Sequence, residues 1–452
     1  MRVAIKTLGC RQNQYESDAL EESLRRAGHM PIDPGEAADL FIVNTCTVTK
    51  EADADSRQMI RRAIRHNPSA RVVVTGCYAQ VAAKEIASIP GVDLVAGNAE
   101  KARLIDLIHG LTAKGPPLIA VGDIQRKRIF EPLPPPVAAT RSRAFLKVQD
   151  GCNYRCSFCI IPETRGPNRS QPPEGALSTL RALLEAGYPE VVLTGIHLGT
   201  YGRDLPDRSS ISGLVREMLQ AAAPARIRLS SLDPHEVKDD LIGLFARFEN
   251  LCRHLHLPLQ SGDDRVLRQM RRAYKADDFR RLVERLVEAV PGIAIGTDVI
   301  VGFPGEGEAE FDSTYRLLER LPMAYLHVFT YSKRDGTDAA SMQNQVAKTV
   351  KGERSYALRS LSEEKWLAFR RTQVGRPLCG VVLDRRGVRA GWSEALTDNY
   401  VTVSFEAGER FAGRTVDLTI EAVSDRQTLG RMREEEGCFR ILPSPRLGRG
   451  AG

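Results

Sequence analysis

Three thiols lie within the eight residues Cys152-Asn153-Tyr154-Arg155-Cys156-Ser157-Phe158-Cys159, and no fourth cysteine is nearby. A tetrahedral zinc site or a complete iron–sulfur cluster normally takes four protein ligands. The spacing therefore predicts a metal centre with one corner left open for chemistry. Two alternatives stay open at this point, namely three buried, inert cysteines or a zinc site completed by a ligand elsewhere in the chain.

The C-x3-C-x2-C spacing of this loop resembles the signature of the radical S-adenosylmethionine (SAM) enzymes. The resemblance implies that Cys152, Cys156 and Cys159 hold a [4Fe-4S] cluster whose open iron binds SAM. In that family an electron from the cluster cleaves SAM to a 5′-deoxyadenosyl radical. We therefore expect SAM as a cofactor of this chain.

Three more cysteines each follow a predicted strand in the first third of the chain. Short apolar runs alternate with helical stretches from Met1 to about Gly110, which favours a doubly wound α/β domain with a mostly parallel sheet. Cys10, Cys46 and Cys77 come just after three of these runs. Open parallel sheets bind ligands outside the carboxyl ends of their strands, so we expect these thiols to converge on a second three-thiolate site.

The residues around these cysteines resemble the amino-terminal domain of the methylthiotransferases. The matching stretches are Thr7-Leu8-Gly9-Cys10-Arg11-Gln12-Asn13-Gln14-Tyr15-Glu16-Ser17, Asn44-Thr45-Cys46-Thr47-Val48 and Thr75-Gly76-Cys77. The resemblance implies that Cys10, Cys46 and Cys77 hold a second [4Fe-4S] cluster, whose open iron carries the sulfur to be transferred. It also implies that all six cysteines are catalytic, in a reaction that converts a C–H bond to C–S–CH3. One SAM would donate the methyl group and another would supply the radical.

Proline-rich segments separate this first domain from the next. Gly115-Pro116-Pro117 and Glu131-Pro132-Leu133-Pro134-Pro135-Pro136 bracket a short basic patch, and proline this dense stiffens a connector. We predict an N-terminal domain over residues 1–115, a linker over 116–140 and a central domain over 141–371. About six strand-and-helix units follow the linker. Together with the resemblance they predict the open (β/α)6 barrel that radical SAM enzymes use.

Polar and glycine-rich loops follow the predicted barrel strands, where barrel enzymes carry their chemistry. The resemblance implies contacts with SAM and substrate in these loops. The expected residues are Thr194, Gly195, His197, Ser230, Asp233, Gln260, Asp298 and Gly302. The family more often has glutamate where Asp233 stands. His197, His254 and His256 are also candidate acids or bases, although core and surface histidines are common.

Short strands separated by Gly and Asn predict a small antiparallel β-barrel over residues 372–442, followed by a disordered tail over 443–452. Its position after the central barrel makes it resemble the TRAM domain, an OB-like RNA-binding module. Ten arginines are balanced by eleven acidic residues between Thr372 and Leu442, so the module lacks an overall basic charge. A local basic patch remains at Arg385-Arg386 with Arg389. The spacing of Cys252, Cys379 and Cys438 is not that of metal ligands, and we interpret them as structural.

Length and composition bound the remaining possibilities. A chain of 452 residues exceeds the size of one hydrophobic core, and none of its apolar runs is long enough to span a bilayer. Nine cysteines without a small disulfide-rich segment favour a reducing compartment, so we expect a cytoplasmic protein. The net charge of +7 permits a polyanionic partner such as RNA. Arg57, Arg61 and Arg65 share one predicted helical face, for which a solvated surface is preferred to a phosphate contact.

The resemblance extends over nearly the whole chain, which is identified as a member of the methylthiotransferases. The stretch from Gly9 to Glu16 looks most like the branch that modifies C2 of N6-threonylcarbamoyladenosine beside the tRNA anticodon. Alternatives are N6-isopentenyladenosine in tRNA and an aspartate of a ribosomal protein. An alternative of another class is an iron–sulfur electron carrier or RNA-binding protein without SAM chemistry. The expected partners are tRNA, a reduced electron-transfer protein and a sulfur donor, with no membrane; the oligomeric state stays open.

Overall fold

The computed structural model describes residues 1–111, 115–138, 141–384, 391–407 and 411–433. Three modules follow one another along this part of the chain: a parallel sheet, an open barrel of parallel strands and a small closed barrel. No helix among the described residues is long and apolar enough to cross a membrane. The expected tail at 443–452, Cys438 and the arginine patch at 385–389 lie outside the described residues.

The first module is a six-stranded sheet in the order β2-β1-β3-β4-β5-β6, and every described pairing in it is parallel. Its strands are β1 (Arg2–Thr7), β2 (Met30–Ile32), β3 (Leu40–Thr45), β4 (Arg71–Gly76), β5 (Leu94–Ala96) and β6 (Leu118–Ala120). Its helices are α1 (Arg11–Arg26), α2 (Lys50–His66), α3 (Cys77–Val81), α4 (Ala83–Ala87) and α5 (Leu104–His109).

Alternate residues of these strands face opposite sides of the sheet, so each side has its own apolar core. Phe41 and Val43 face Ile60 of α2 on one side. Leu40 and Ile42 face Leu20 of α1 on the other, in a core that also contains Leu24 and Leu104. Helices thus cover both faces, which confirms the doubly wound α/β class.

The segment predicted as a linker differs from that expectation. Leu118–Ala120 pairs in parallel with Leu94–Ala96 and forms the edge strand of the first sheet. Further along the same segment, Ile124, Phe130 and Leu133 are buried. Proline is compatible with sheet edges and with packed extended chain, and three residues are enough to form a short edge strand. This proline-rich stretch is therefore a packed part of the fold.

The second module is the predicted open barrel. Its six main strands are β7 (Ala144–Lys147), β10 (Glu190–Thr194), β11 (Arg226–Leu229), β12 (His254–His256), β13 (Ala294–Val301) and β14 (Tyr325–Thr330), with a small ribbon formed by β8 (Gln149–Asp150) and β9 (Arg169–Ser170). Parallel bridges from Ile227 to Leu251 and from Ser231 to His256 join its two three-stranded halves. Among the described residues no ladder joins β14 back to β7, so the barrel is open on that side.

Helices surround this barrel and enclose the largest apolar core of the chain. They are α6 (Ile161–Arg165), α7 (Pro173–Glu185), α8 (Ile211–Ala222), α9 (Asp239–Arg247), α10 (Asp264–Gln269), α11 (Ala276–Ala289), α12 (Glu308–Arg320), α13 (Asp338–Ser341) and α14 (Lys348–Arg371). The first module packs against the open side. Tyr15 and Ala19 of α1 form one buried cluster with Phe145 of β7 and Val192 of β10.

The third module is a closed five-stranded barrel in the order β15-β16-β17-β19-β18. Its strands are β15 (Pro377–Val382), β16 (Trp392–Thr397), β17 (Thr402–Glu406), β18 (Thr415–Val423) and β19 (Thr428–Met432). Leu378, Val403, Phe405 and Leu418 fill its centre, and Trp366 of α14 packs against them. The predicted small β-barrel is confirmed.

Charged side chains join the third module to the interior of the second. Glu190 lies buried at the start of β10 and binds Arg226 and Arg228, whose side chains are 4% and 0% exposed. The two arginines donate their other N–H groups to main-chain carbonyls of the small barrel, at Cys379, Leu396, Thr397 and Asp398. Although burial opposes ionisation, these positive charges hold the pKa of Glu190 well below its ordinary 4.5. Glu190 and its two arginines therefore stabilise both the wall of the open barrel and the packing of the third module against it.

Candidate functional site

The loop with the first cysteine trio begins at a glycine. Gly151 has φ +74°, and an added Cβ would collide with the main chain of Gly166 and Pro167. Glycine therefore permits the close approach that turns the chain from β8 into the loop. Within the loop, the N–H of Cys159 donates to the carbonyl of Cys156 at 3.0 Å. Cys152, Cys156 and Cys159 are all partly exposed.

Two nitrogen-bearing side chains contact the sulfurs of this trio. His197 Nδ1 lies 3.3 Å from Cys152 Sγ, and Arg272 Nη1 donates to Cys156 Sγ at 3.3 Å. Both side chains are held by carboxylates: Glu236 binds His197 Nε2 at 2.8 Å, and Asp233 binds Arg272. The predicted site residues His197 and Asp233 thus come together with the cysteine loop.

The second trio gathers at the carboxyl ends of β1, β3 and β4, as the strand positions predict. Gly9 has φ +98°, and an added Cβ would lie 2.8 Å from Cys46 Sγ. Gly76 has φ +102° and lies against the main chain of Thr45. Cys46 and Cys77 are buried and Cys10 is exposed. The two glycines allow the ends of β1, β3 and β4 to approach each other closely.

Arg165 of the central barrel reaches the second trio. Its Nε donates to Cys77 Sγ at 3.3 Å, and Asn98 Nδ2 lies 3.5 Å from the same sulfur. Arg165 is the last residue of α6, which follows the loop of the first trio. One buried side chain therefore connects the element beside the first trio with a cysteine of the second.

A buried group of charges holds Arg165 in place. Its guanidinium binds Glu16 of α1, donates to Asn13 Oδ1 at 2.6 Å and lies 3.4 Å from Asp150 Oδ1. Lys147 contacts Glu16 at 3.2 Å, and Lys101 also pairs with it. Burial opposes ionisation of Glu16, but the surrounding cations hold its pKa well below the ordinary value. This network joins the first two modules beside Cys77 of the second trio.

Both trios have the chemistry that an iron–sulfur cluster requires. Burial raises the pKa of Cys46 to about 11 and the pKa values of Cys152 and Cys159 to about 12. Three soft thiolates suit iron–sulfur clusters, and N–H groups directed at the sulfurs are the contacts that tune them. The residues present therefore fit two clusters, each with three protein ligands.

The remaining predicted contact residues follow the barrel strands. Gly195 follows β10, and an added Cβ would lie 2.8 Å from Gln149 Oε1. Thr194 lies 3.5 Å from Gln12 of α1, and Ser230 has a buried hydroxyl without a hydrogen-bond partner among the described residues. An unpaired buried hydroxyl at the end of β11 is suited to a bound ligand. These three residues are compatible with the expected SAM site.

Three predicted residues bind other parts of the barrel. Gln260 has φ +67°, and its main chain bridges to β13. Asp298 lies 3.1 Å from His256 Nε2 and 3.4 Å from His327 Nδ1. Burial opposes ionisation of Asp298, but these two histidines lower its pKa to about 2. The N–H of Gly302 donates to Glu306 at 2.7 Å.

His254 has a structural environment. Its Nε2 lies 2.8 Å from Tyr325 Oη, and its ring stacks on Tyr400 at 4.1 Å. Burial and the nearby positive charges hold its pKa well below the ordinary value. Burial without a carboxylate partner favours a neutral imidazole.

Sequence reasoning missed Arg165 and Arg272, which donate to cysteine sulfurs, and Glu236, which binds His197. Arg165 and Glu236 lie in short elements that follow functional loops, at the end of α6 and in the turn after Asp233. The closeness of these charged residues in sequence to the predicted ligand loops could have marked them as candidate site residues. No local signal marked Arg272, because its contact with Cys156 spans 116 residues.

Comparison with known proteins agrees with this arrangement. Residues 2–97 match the Uncharacterized protein family UPF0004, and residues 146–318 match the Radical SAM superfamily. The threonylcarbamoyladenosine tRNA methylthiotransferase MtaB of Bacillus subtilis is 40% identical, over 92% of this chain and 93% of that protein. The enzyme of the same name from Aquifex aeolicus is 37% identical, over 93% and 100%.

A relative that is named for a different activity is also similar. The tRNA-2-methylthio-N(6)-dimethylallyladenosine synthase of Sphingopyxis alaskensis is 36% identical, over 86% of this chain and 87% of that protein. Among solved structures, the radical SAM methyltransferase TsrM from Kitasatospora setae matches 75% of this chain and 77% of its own, with a TM-score of 0.55 and 17% identity. At that identity the likeness concerns the fold alone.

Proposed function

The chain belongs to the radical SAM methylthiotransferase family, and on this premise we propose that it adds a methylthio group to C2 of N6-threonylcarbamoyladenosine beside the tRNA anticodon. The observation that carries the proposal is the contact of Arg165 with Cys77, because it connects the helix that follows the loop of the first trio with a cysteine of the second. Radical generation alone requires one trio. A second trio, on the module that packs against the barrel, suits a reaction that also delivers sulfur.

The six cysteines are proposed as ligands, with Cys152, Cys156 and Cys159 holding one [4Fe-4S] cluster and Cys10, Cys46 and Cys77 the other. When bound, these groups supply the reductive cleavage of SAM at the first site and the sulfur to be transferred at the second. Thr194, Gly195, His197, Ser230, Asp233, Gln260, Asp298 and Gly302 stay proposed contacts for SAM and substrate.

The chain's own side chains prepare both sites. Glu236 and Asp233 orient His197 and Arg272 toward the sulfurs of the first trio. Arg165 directs an N–H at Cys77 while Glu16 and Asn13 hold its guanidinium. N–H groups that donate to the sulfurs help to set the reduction potential of a cluster. These contacts would therefore influence the potential of each of the two clusters.

The substrate is proposed from the relatives. Proteins named as threonylcarbamoyladenosine tRNA methylthiotransferases are 34–40% identical over 90–93% of this chain in four organisms. The N6-isopentenyladenosine alternative finds support in similar relatives that are named for dimethylallyladenosine. We also propose a reduced electron-transfer protein and a sulfur donor as partners, and the cytoplasm as the place of reaction. A division at residues 1–115, 116–140, 141–371 and 372–442 is kept as a proposal; of the linker, Leu118–Ala120 belongs to the first sheet.

Mass spectrometry of tRNA nucleosides from a strain that lacks the gene tests this function. We expect 2-methylthio-N6-threonylcarbamoyladenosine to disappear and its precursor without the methylthio group to accumulate. A plasmid copy should restore the modification, whereas a copy with Cys10→Ala should not. Unchanged 2-methylthio-N6-threonylcarbamoyladenosine would contradict the proposal, and loss of the methylthio group from isopentenyladenosine instead would identify the other substrate.

A further inference from the structure

Asp298 of β13 differs from two other carboxylates of the barrel in the partners that it has. Glu190 and Asp233 are each paired with an arginine. Asp298 is paired with two histidines instead: its Oδ1 lies 3.1 Å from His256 Nε2 and 3.4 Å from His327 Nδ1. Among the described residues, no lysine or arginine forms an ion pair with it. Two imidazoles and a carboxylate without a fixed cation are suited to a metal ion.

The regular geometry of the sheet brings these three side chains together. The strands β12, β13 and β14 are parallel neighbours, with Asp298 opposite His327 and with His256 opposite Gly296. Since successive side chains of a strand point to opposite faces, Asp298 lies on the same face as Gly296, two residues before it. One ligand atom from each of the three side chains lies within 4.8 Å of the other two.

That face of the sheet is the interior of the open barrel. Leu255, Val299 and Val328 are the sequence neighbours of the three residues, and they belong to the apolar core beneath the helices. The three residues therefore point away from the helices. The side chains of Asp298 and His327 are 25% and 54% exposed, so an ion has a path to them from solvent.

His256 has a buried nitrogen without a hydrogen bond. The residue is 6% exposed, and its Nε2 makes no hydrogen bond to the described residues. Although Asp298 Oδ1 lies 3.1 Å away, its direction is not that of a hydrogen bond. The other ring nitrogen, Nδ1, lies 2.9 Å from Ser231 Oγ. When Nδ1–H donates to that hydroxyl, Nε2 carries a lone pair that is free to bind a metal.

The distances agree with those between two ligands of one metal ion. Zinc binds imidazole nitrogen and carboxylate oxygen at about 2.0–2.2 Å. Two ligand atoms at that distance are about 2.8–3.6 Å apart in octahedral or tetrahedral coordination. The separations of 3.1 Å and 3.4 Å between Asp298 and the two histidines lie in this range.

We propose that His256, Asp298 and His327 bind one divalent transition-metal ion, such as zinc, inside the open barrel. Three protein ligands leave at least one position of the ion open to water or to another ligand. Asp298 is among the proposed contacts for SAM and substrate, and the ion would make that contact through an open position. The inference does not depend on the proposed function, because the ion binds without RNA and without turnover.

Zinc binding is measured with the cluster-loaded protein in the absence of RNA. The protein is incubated anaerobically with a small excess of zinc, desalted and analysed for zinc and iron, and competition with a chelator gives the Kd. His29→Gln is the control, because His29 Nε2 lies 2.8 Å from His109 Nε2 and forms a second histidine pair at the surface. The other variants are His256→Gln, Asp298→Asn, His327→Gln and Ser231→Ala.

The wild type and His29→Gln should each retain about one zinc per chain. Loss of any of the three ligands should raise the Kd about a hundredfold or more, whereas Ser231→Ala should raise it about tenfold, because it removes only the group that orients His256. Magnesium should not displace the zinc, since it prefers oxygen ligands. An iron content of about eight per chain in every protein shows that the clusters and the fold are intact.

X-ray absorption at the zinc edge identifies the ligands. We expect nitrogen and oxygen at about 2.0–2.2 Å, whereas sulfur would lie at about 2.3 Å. A sulfur shell would place the zinc on cysteines and overturn the inference. Absence of zinc from the wild type, full zinc content in Asp298→Asn or loss of zinc in His29→Gln would overturn it too. Methylthiolation of RNA is measured separately, so these results leave the proposed function standing.

Discussion

Arg165 Nε lies 3.3 Å from Cys77 Sγ, so a side chain of the central barrel donates to a cysteine of the first module. The same guanidinium binds Glu16, and the side chains of both residues are 1% exposed. The contact makes the geometry of the second trio depend on the barrel that carries the first. This buried contact is one of those that pack the first module against the central barrel.

Replacing Arg165 with Gln should destabilise the protein by about 3 kcal/mol or more, because Glu16 and Asp150 lose a buried partner. The measurement is the urea midpoint of the purified protein. Arg155→Gln is the matched control. Arg155 pairs at an exposed position with Glu163, which lies on α6 as Arg165 does. That control should change the midpoint little. Equal midpoints for the two variants would contradict a structural role for the Arg165 network.

Arg165→Lys tests the contact with sulfur separately from the charge. Lysine keeps a positive charge near Glu16 but lacks the Nε–H that points at Cys77. Since hydrogen bonds to sulfur help to set cluster potentials, the midpoint potential of the second cluster should fall while that of the first stays the same. Potentiometric titration followed by electron paramagnetic resonance measures both. An equal shift in the midpoint potentials of both clusters would show that the effect is not confined to the Arg165–Cys77 contact.

Gly9→Ala should empty the second site without emptying the first. The added Cβ would lie 2.8 Å from Cys46 Sγ at a φ of +98°. Reconstituted protein should therefore hold about four irons instead of about eight. Gly28→Ala is the control, because Gly28 also has a positive φ, of +78°, but nothing lies within 4 Å of the added Cβ. It should cost about 1–2 kcal/mol of stability and keep its iron. Full iron content in Gly9→Ala would contradict the packing of Gly9 on Cys46.

The cysteine sets should act independently in iron binding. Cys77→Ala should halve the iron content, and Cys156→Ala should halve it too, whereas the double variant should bind almost none. Cys252→Ala is the control, since Cys252 is buried beside Glu190 and belongs to neither trio. Iron and sulfide analysis measures these contents. If Cys77→Ala kept all of its iron, the assignment of the second trio would be wrong.

Both trios could be predicted from sequence because each cysteine follows a local pattern. Cys152, Cys156 and Cys159 have a recognisable spacing, and Cys10, Cys46 and Cys77 each end an apolar run. Strand ends of a parallel sheet lie at one edge, so topology alone brings such residues together. The barrel class followed from the same alternation of strands and helices. These features depend on neighbours in sequence or on the regular geometry of the sheet.

The contacts between modules could not be predicted in this way. Arg165 and Cys77 are 88 residues apart, and Arg11 and Tyr400 are 389 apart. No sequence periodicity or residue spacing indicates such pairs, because they form only when the folded modules pack together. Leu118–Ala120 was missed for a different reason: three apolar residues after two prolines form too short a run to indicate a strand, yet the edge of a sheet accepts them.

Glu190→Gln should destabilise the chain at neutral pH by about 3–5 kcal/mol, because it leaves Arg226 and Arg228 buried without a counter-charge. The pKa of Glu190 is held well below its ordinary 4.5, so its contribution is present above that value. As the pH falls, the unfolded state binds a proton before the folded state does, and the contribution is lost. The difference between wild type and variant should therefore shrink between a pH of about 5 and the folded pKa.

Urea midpoints over a pH series measure this difference. Glu284→Gln serves as the control, since Glu284 is 50% exposed and its pair with Arg280 lies on the protein surface. The stability of Glu284→Gln should equal that of the wild type at every pH. A difference for Glu190→Gln that stays constant down to a pH of about 3 would show that the carboxylate charge does not stabilise the barrel.

The most direct test is a reaction with defined RNA. The reconstituted protein, SAM and a strong reductant are incubated with anticodon stem-loops that carry either N6-threonylcarbamoyladenosine or N6-isopentenyladenosine, and the nucleosides are analysed by mass spectrometry. We predict 5′-deoxyadenosine together with 2-methylthio-N6-threonylcarbamoyladenosine, and little product from the isopentenyl RNA. Methylthiolation of the isopentenyl RNA alone, or no consumption of SAM with either RNA, would contradict the account.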